Sequence, residues 1–296
     1  MTLAHAATLY FEGKREMAKK RVQKLKTAGL VKERPRRTYE PSVLTLPMRA
    51  LRMLAAEGLL ADYPDVQLSS LEKRAQVSDL TLRHELEVMD VKTSLTSAIA
   101  GSTSHKIIEF STWPYLIQFE ASSLPLGAMG RMPALVKPDG LIRIHEQDGE
   151  ELFEHNLFLE VDRSTESQEI LATKAACYVD YYRTGGYAVR CGAARSDYQS
   201  YPFRVLMVFR NAERRNNAAE RLLLNHPPIH TLVWLTTKDE LEAKSLESIW
   251  VRPVDFRDAV AGTAYDVRDR DGHSYRRRPD REAIVEQRVQ KQRLFS

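Results

Sequence analysis

The sequence predicts an α/β protein, with a basic helical module at the N-terminus followed by a core built on a mixed sheet. Three observations carry this expectation. Residues 1–40 hold eleven basic side chains against four acidic ones, a local +7 in a 296-residue chain whose net charge is +4. Two near-continuous apolar runs, 203–209 and 231–235, read as central strands buried on both faces. Between module and runs lie two short apolar segments that each end in acid, Val136-Lys137-Pro138-Asp139-Gly140 and Leu157-Phe158-Leu159-Glu160-Val161-Asp162.

From Lys14 to Ala28, Ala18, Val22 and Leu25 recur at helical spacing, and Lys14, Lys19, Lys20, Arg21 and Lys24 surround the rest of the helix. Gly29 is placed to end it. The segment 31–39, broken at Pro35 and carrying Arg34, Arg36 and Arg37, is extended and exposed. A basic helix followed by a basic extended segment is the usual end of a winged helix-turn-helix, in which the helix enters the major groove and the wing touches phosphates. These eight cations are therefore the candidate contacts to double-stranded DNA, and a solvated charged face is the other reading. Only residues 2–11 precede the helix, so the module is expected to be truncated relative to a full three-helix unit.

Residues 47–57 predict a short helix stopped by Gly58, and 59–77 read as a linker. Ser78 or Asp79 then caps a long helix running to Ala100, with Leu82, Leu86, Val88, Met89, Val91, Leu95 and Ile99 on its apolar face. Residues 106–110 predict a strand and 113–128 an insertion. Strands 134–145 and 156–161 follow, joined as an antiparallel hairpin by the polar turn 146–150. A helix over 167–184 carries Lys174, Tyr178, Tyr181 and Tyr182 and ends at Gly185-Gly186. A helix over 216–224 and a short strand at 249–251 complete the core. Beyond about residue 255 the chain turns polar and basic, with a last helix near 281–294 and the remainder loosely ordered. The expected organisation is a DNA-binding region over 1–60, a linker over 61–77, an α/β domain over 78–255 and a basic tail over 256–296.

If the acidic strands pair, Asp139, Glu160 and Asp162 converge on one edge of the sheet. Clustered carboxylates ionise together only against a compensating charge, most simply a hard divalent cation, Mg²⁺ or Mn²⁺. The alternative is that they are solvated turn acids. No glycine-rich phosphate loop, nucleophile elbow or zinc-ligand cluster supports a small-molecule enzyme. Cys177 and Cys191 form no disulfide framework, and Cys177 falls in an apolar helical stripe as a small core residue. With no run of eighteen apolar residues and no signal-peptide pattern, a cytoplasmic protein without a membrane partner is expected.

The order helix, strand, acidic strand, acidic strand, helix, strand resembles the core of the PD-(D/E)xK restriction-endonuclease-like superfamily. That resemblance implies metal ligation by Asp139 and Glu160, a water-activating lysine, and hydrolysis of phosphodiesters. Asp162 stands where the second motif normally ends in lysine, and Lys174 on the following helix is the nearby candidate to replace it. A surface lysine is the other reading of that residue.

A combination of segments is similar to the bacterial replication-relaxation family over roughly residues 10–240. These are Leu82-Arg83-His84-Glu85-Leu86-Glu87-Val88-Met89-Asp90-Val91, Pro138-Asp139-Gly140, and Phe158 to Thr165 followed by Lys174 and Tyr178. The resemblance implies a winged helix joined to a nuclease-like domain, in proteins associated with replication of plasmids and other mobile elements. It puts His84 near the acidic edge, where it would orient a carboxylate or phosphate; a hydrogen-bonded core histidine is the other reading. Glu85 and Glu87 are either an extra acidic ligand or a solvated face. Double-stranded DNA is the implied partner, with a homodimer or a replication protein left open. The function implied is either a metal-dependent endonuclease or a non-catalytic DNA-binding factor on a degenerate nuclease fold.

Overall fold

The computed structural model describes every residue except 36–37, 62–66, 113–116, 124–131, 165, 245, 262–264, 269–273, 278–280 and 296. The N-terminal module begins with helices α1 (Leu3–Tyr10) and α2 (Arg15–Thr27), which pack on each other through buried Ala6, Ala7 and Ala18. At Gly29 the backbone turns through φ +68, which a glycine adopts without strain. The chain then enters β1 (Lys32–Glu33), antiparallel to β2 (Leu44–Thr45), so a short hairpin follows the basic helix as the sequence implies. Helix α3 (Met48–Ala56) comes next. The segment expected to be a bare linker contains another helix, α4 (Leu68–Arg74), which packs on α3.

Helix α5 (Asp79–Ala100) has the limits its capping residue predicts, because the Ser78 hydroxyl accepts from the Thr81 N–H. It anchors the N-terminal module in two places. His5 of α1 donates from Nε2 to Asp90 at 2.8 Å, and Arg34 beside the hairpin reaches Asp79 at 3.0 Å.

The central sheet has the order β3-β6-β7-β8-β9, from β3 (His105–Thr112), β6 (Gly140–Asp148), β7 (Glu151–Asp162), β8 (Arg204–Phe209) and β9 (Val233–Thr237). The first three strands are antiparallel and the last two run parallel to β7. Strands β4 (Phe119–Ser123), inside the expected insertion, and β5 (Met132–Val136), beyond its end, make a separate two-stranded sheet.

Three sequence expectations change here. The strand expected over 134–145 is two strands: Pro138 lacks the N–H a ladder needs, so β5 stops before it and β6 starts after it. The hairpin turn is also tighter than 146–150, since Asp148 pairs with Glu151 and Gly149 takes φ +58. Finally, β9 lies at the end of the sheet rather than inside it, yet stays buried because Val251 bridges to Leu235 on its outer side.

The parallel strands are connected through α6 (Gln168–Arg183), with the short α7 (Gly186–Arg190) after it, and through α8 (Ala212–Leu223). α6 and α8 cover one face of the sheet, where Phe158, Tyr178, Val205, Met207 and Leu235 form one core. α5 covers the other face over Ile142, Leu157, Leu159, Leu206 and Trp250, with α9 (Lys238–Lys244) beside it.

Helix α10 (Pro253–Val260), the hairpin β10 (Tyr265–Arg268) with β11 (Ser274–Arg277), and α11 (Arg281–Arg288) end the chain. The helix expected near 281–294 ends earlier, at Arg288, and the residues that follow it are docked. Gln292 pairs with the Trp250 backbone, Arg204 donates to the Leu294 carbonyl, and Leu294 and Phe295 are buried.

Candidate functional site

The acidic edge lies where β6 begins and β7 ends. Gly140 stands opposite Leu159, and the Asp139 N–H donates to the Leu159 carbonyl at 2.9 Å, so Asp139 is fixed beside Glu160. A side chain at position 140 would press to 3.1 Å from the Ser111 carbonyl of β3, which makes glycine the residue that lets the strands close here. Alternation along β7 puts Glu160 and Asp162 on the face that packs on α6 and α8.

Each acid has its own partners. Asp139 Oδ1 accepts from His84 Nε2 at 2.7 Å, and its Oδ2 accepts from the Val161 N–H at 2.8 Å. Glu160, only 4% exposed, accepts from Lys174 Nζ and from the Tyr178 hydroxyl, both at 2.5 Å. Asp162 accepts from Arg214 Nε at 2.7 Å and from its Nη2 at 3.1 Å. A cavity of about 260 Å³ is lined by Asp139, Glu160, Asp162, Lys174, His84 and Arg163 among others. The structure thus brings together His84, Asp139, Glu160 and Lys174, while Arg214 binds the Asp162 carboxylate.

The electrostatics follow from burial. Burial pushes the Glu160 carboxyl up to about 7, with Lys174 opposing and Asp139 adding to the rise. Burial works against the Lys174 ammonium, but the charges of Glu160 and Asp139 raise it above the ordinary lysine value. The hydrogen bond to Asp139 raises His84.

A carboxyl that titrates higher in the fold than in the open chain stabilises the protein at low pH. That contribution is present below about 4.5 and is lost as pH rises through about 7. We expect about 3 kcal/mol of stability to disappear across that window in chelator-treated protein. Glu160→Gln should flatten the slope, and thermal melts of both proteins at pH 5 and pH 8 check it; parallel slopes would contradict the buried, strained carboxyl. His84 contributes in the same direction and is present in both proteins, so the comparison isolates Glu160.

Sequence reasoning assigned no role to Tyr178 or Arg214. Tyr178 follows Lys174 by four residues on α6, so both reach Glu160 from one helical face, a spacing visible in the sequence. Arg214 has no such local signal, since α8 meets the end of β7 only through the parallel crossover.

The proposed DNA contacts divide differently. Lys19, Lys20, Arg21 and Lys24 are exposed on α2, whereas Lys14 pairs with Glu12 at 2.5 Å and Arg34 is held by Asp79. Arg36 and Arg37 lie outside the described residues.

The family model described as replication-relaxation matches residues 1–193, from α1 through α7. The chain belongs to the replication-relaxation family. No curated protein and no solved structure matches it. The match takes in Asp139, Glu160, Asp162 and Lys174 and stops before β8 and α8, short of the residue-240 limit expected from the sequence. Membership of the replication-relaxation family points to a replication-related role. Among the described residues, no helix is long and apolar enough to cross a membrane.

Among the described residues no three His, Cys, Asp or Glu side chains stand together at ligand spacing, so a closed all-protein cage is not built. Two carboxylates in one cavity are what Mg²⁺ or Mn²⁺ uses when water and phosphate fill the other positions.

Proposed function

We propose that this replication-relaxation protein binds double-stranded DNA of plasmids or other mobile elements and hydrolyses phosphodiesters in a metal-dependent site. In this reading α2 and the β1–β2 hairpin act as the recognition helix and wing, and β6, β7, α6 and β8 form the PD-(D/E)xK-type core. The observation that carries the reading is the contact between Lys174 and Glu160 in the cavity that Asp139 also lines. It supports Lys174 as the replacement for the motif lysine.

Asp139 and Glu160 would hold Mg²⁺ or Mn²⁺, which supplies Lewis acidity and a more acidic bound water. His84 orients Asp139 and Tyr178 orients Glu160, so neither carboxylate rotates freely. The Lys174 ammonium offsets negative charge that develops on the phosphate. The walls contributed by Leu171 and Met207 lower the local polarity and strengthen both effects.

A second reading, a DNA-binding factor that cuts nothing, is favoured by one observation. Acid replaces lysine at position 162, and Arg214 binds that acid in a closed pair.

One DNA serves to test both readings. Affinity for a labelled duplex should fall steeply with salt as counterions are released. Lys19→Ala, Lys20→Ala and Lys24→Ala together should weaken binding and flatten the slope by roughly 0.9 for each phosphate that α2 no longer neutralises. Unchanged affinity in the triple variant would remove α2 from the interface. With Mn²⁺ or Mg²⁺, supercoiled plasmid should become nicked or linear, and Glu160→Gln should stop it. Tight binding without cleavage selects the second reading.

A further inference from the structure

Three cations surround the carboxylate edge, and they are held very differently. Lys174 is committed to buried Glu160 and Arg214 to buried Asp162, whose side chain is 3% exposed. Arg163, the residue after Asp162, lines the same cavity as Asp139, Glu160 and Lys174. Its side chain leaves the end of β7 and crosses to α5, where Nε lies 2.9 Å from Glu87 and NH1 donates to the Leu80 carbonyl at 2.8 Å. The next residue, Ser164, takes φ +61, a conformation that L side chains rarely adopt and that turns the chain sharply at this point.

Glu87 is a third exposed whereas Glu160 and Asp162 are buried, and Arg163 Nε, though 2.9 Å from Glu87, makes no well-directed hydrogen bond, so this pair is the weakest held of the three. A guanidinium exchanges one carboxylate for a phosphodiester readily, because its planar fork matches both. Arg163 lines the cavity from the α5 side, whereas Lys174 reaches Glu160 from α6.

We propose that Arg163 is the phosphate-binding residue of this site, held ready by Glu87 and transferred to the backbone of a DNA strand that enters the cavity. This rests on the DNA reading above. It adds a ligand to the site and a carboxylate that competes with it. Glu87 then acts against DNA binding through Arg163, a dependence that the general repulsion of its charge does not produce.

The test is a double-mutant cycle on the full chain, with a short labelled duplex in chelator so that nothing is cut. Arg163→Ala should weaken binding about tenfold and lower the salt slope by roughly 0.9, the share of a single phosphate. Glu87→Gln should tighten binding several-fold, because the phosphate no longer displaces a carboxylate. The double variant should bind like Arg163→Ala alone, since the gain requires the arginine. Arg163→Lys, which keeps the charge and loses the fork, should fall between wild type and alanine.

Wild-type affinity in Glu87→Gln, or a gain that persists without Arg163, overturns the proposal while leaving the DNA reading intact. In the second case only the general loss of negative charge is acting. A wild-type chain that binds no duplex at any salt overturns the DNA reading and the Arg163 role together. The Glu87→Gln arm stands even where Arg163→Ala fails to fold.

Discussion

Lys174→Ala is expected to be the most damaging substitution at the site, removing activity and stability together. Glu160 is 4% exposed and its carboxylate is stabilised mainly by this ammonium at 2.5 Å. Removing one partner of a buried pair costs about 3–5 kcal/mol, because the other is left charged and desolvated. Glu160 escapes that cost by taking up a proton, so the loss should grow as pH rises above neutrality and shrink in acid. Under the proposed chemistry the cleavage rate should also fall on the order of 10²–10³-fold. Adding Glu160→Gln to Lys174→Ala should recover much of the stability and none of the activity. Melts and plasmid cleavage on the three proteins check both halves; a stable, active Lys174→Ala protein would make that residue a surface lysine.

Val205→Asp is expected to remove several kcal/mol of stability and to lower the melting temperature sharply. Val205 is fully buried on β8, opposite Phe158 of β7 on one side and Val233 of β9 on the other. An aspartate there finds no partner among the apolar side chains packed around it, and burying a polar group without one costs several kcal/mol. Whole domains are stable by only about 5–15 kcal/mol. Circular dichroism and thermal melting give the outcome directly. A variant with wild-type melting behaviour would contradict the placement of β8 between β7 and β9.

Much of the framework was legible because it is set by local physics. Ser78 fixes the start of α5 by satisfying a helix N–H, and the near-continuous apolar run 203–209, broken only by Arg204, packs inside a sheet. The acidic hairpin was legible because strand periodicity and a glycine turn are both written locally. What stayed hidden depends on contacts between segments distant in sequence. Asp162 looks like a third metal ligand in isolation, and only the β7–β8 crossover delivers Arg214 to neutralise it. The same holds for the terminal segment. Its sequence marks a helix near 281–294, but not that Leu294 and Phe295 pack into the α5-side core. Lys174 sits between these cases: its helix was readable, but which way it faces became clear only once Glu160 was placed beneath it.

The central proposal is that Asp139 and Glu160 hold a divalent metal ion. It is tested most directly by thermal unfolding of chelator-treated protein across a titration of Mg²⁺ or Mn²⁺. An ion that binds only the folded chain should stabilise it by about 2.7 kcal/mol at a hundred times its dissociation constant. Asp139→Asn and Glu160→Gln should each abolish most of that gain, and Asp162→Asn should keep it, since Arg214 already holds that carboxylate. No stabilisation by either ion, or an equal gain in wild type and Glu160→Gln, would contradict the site.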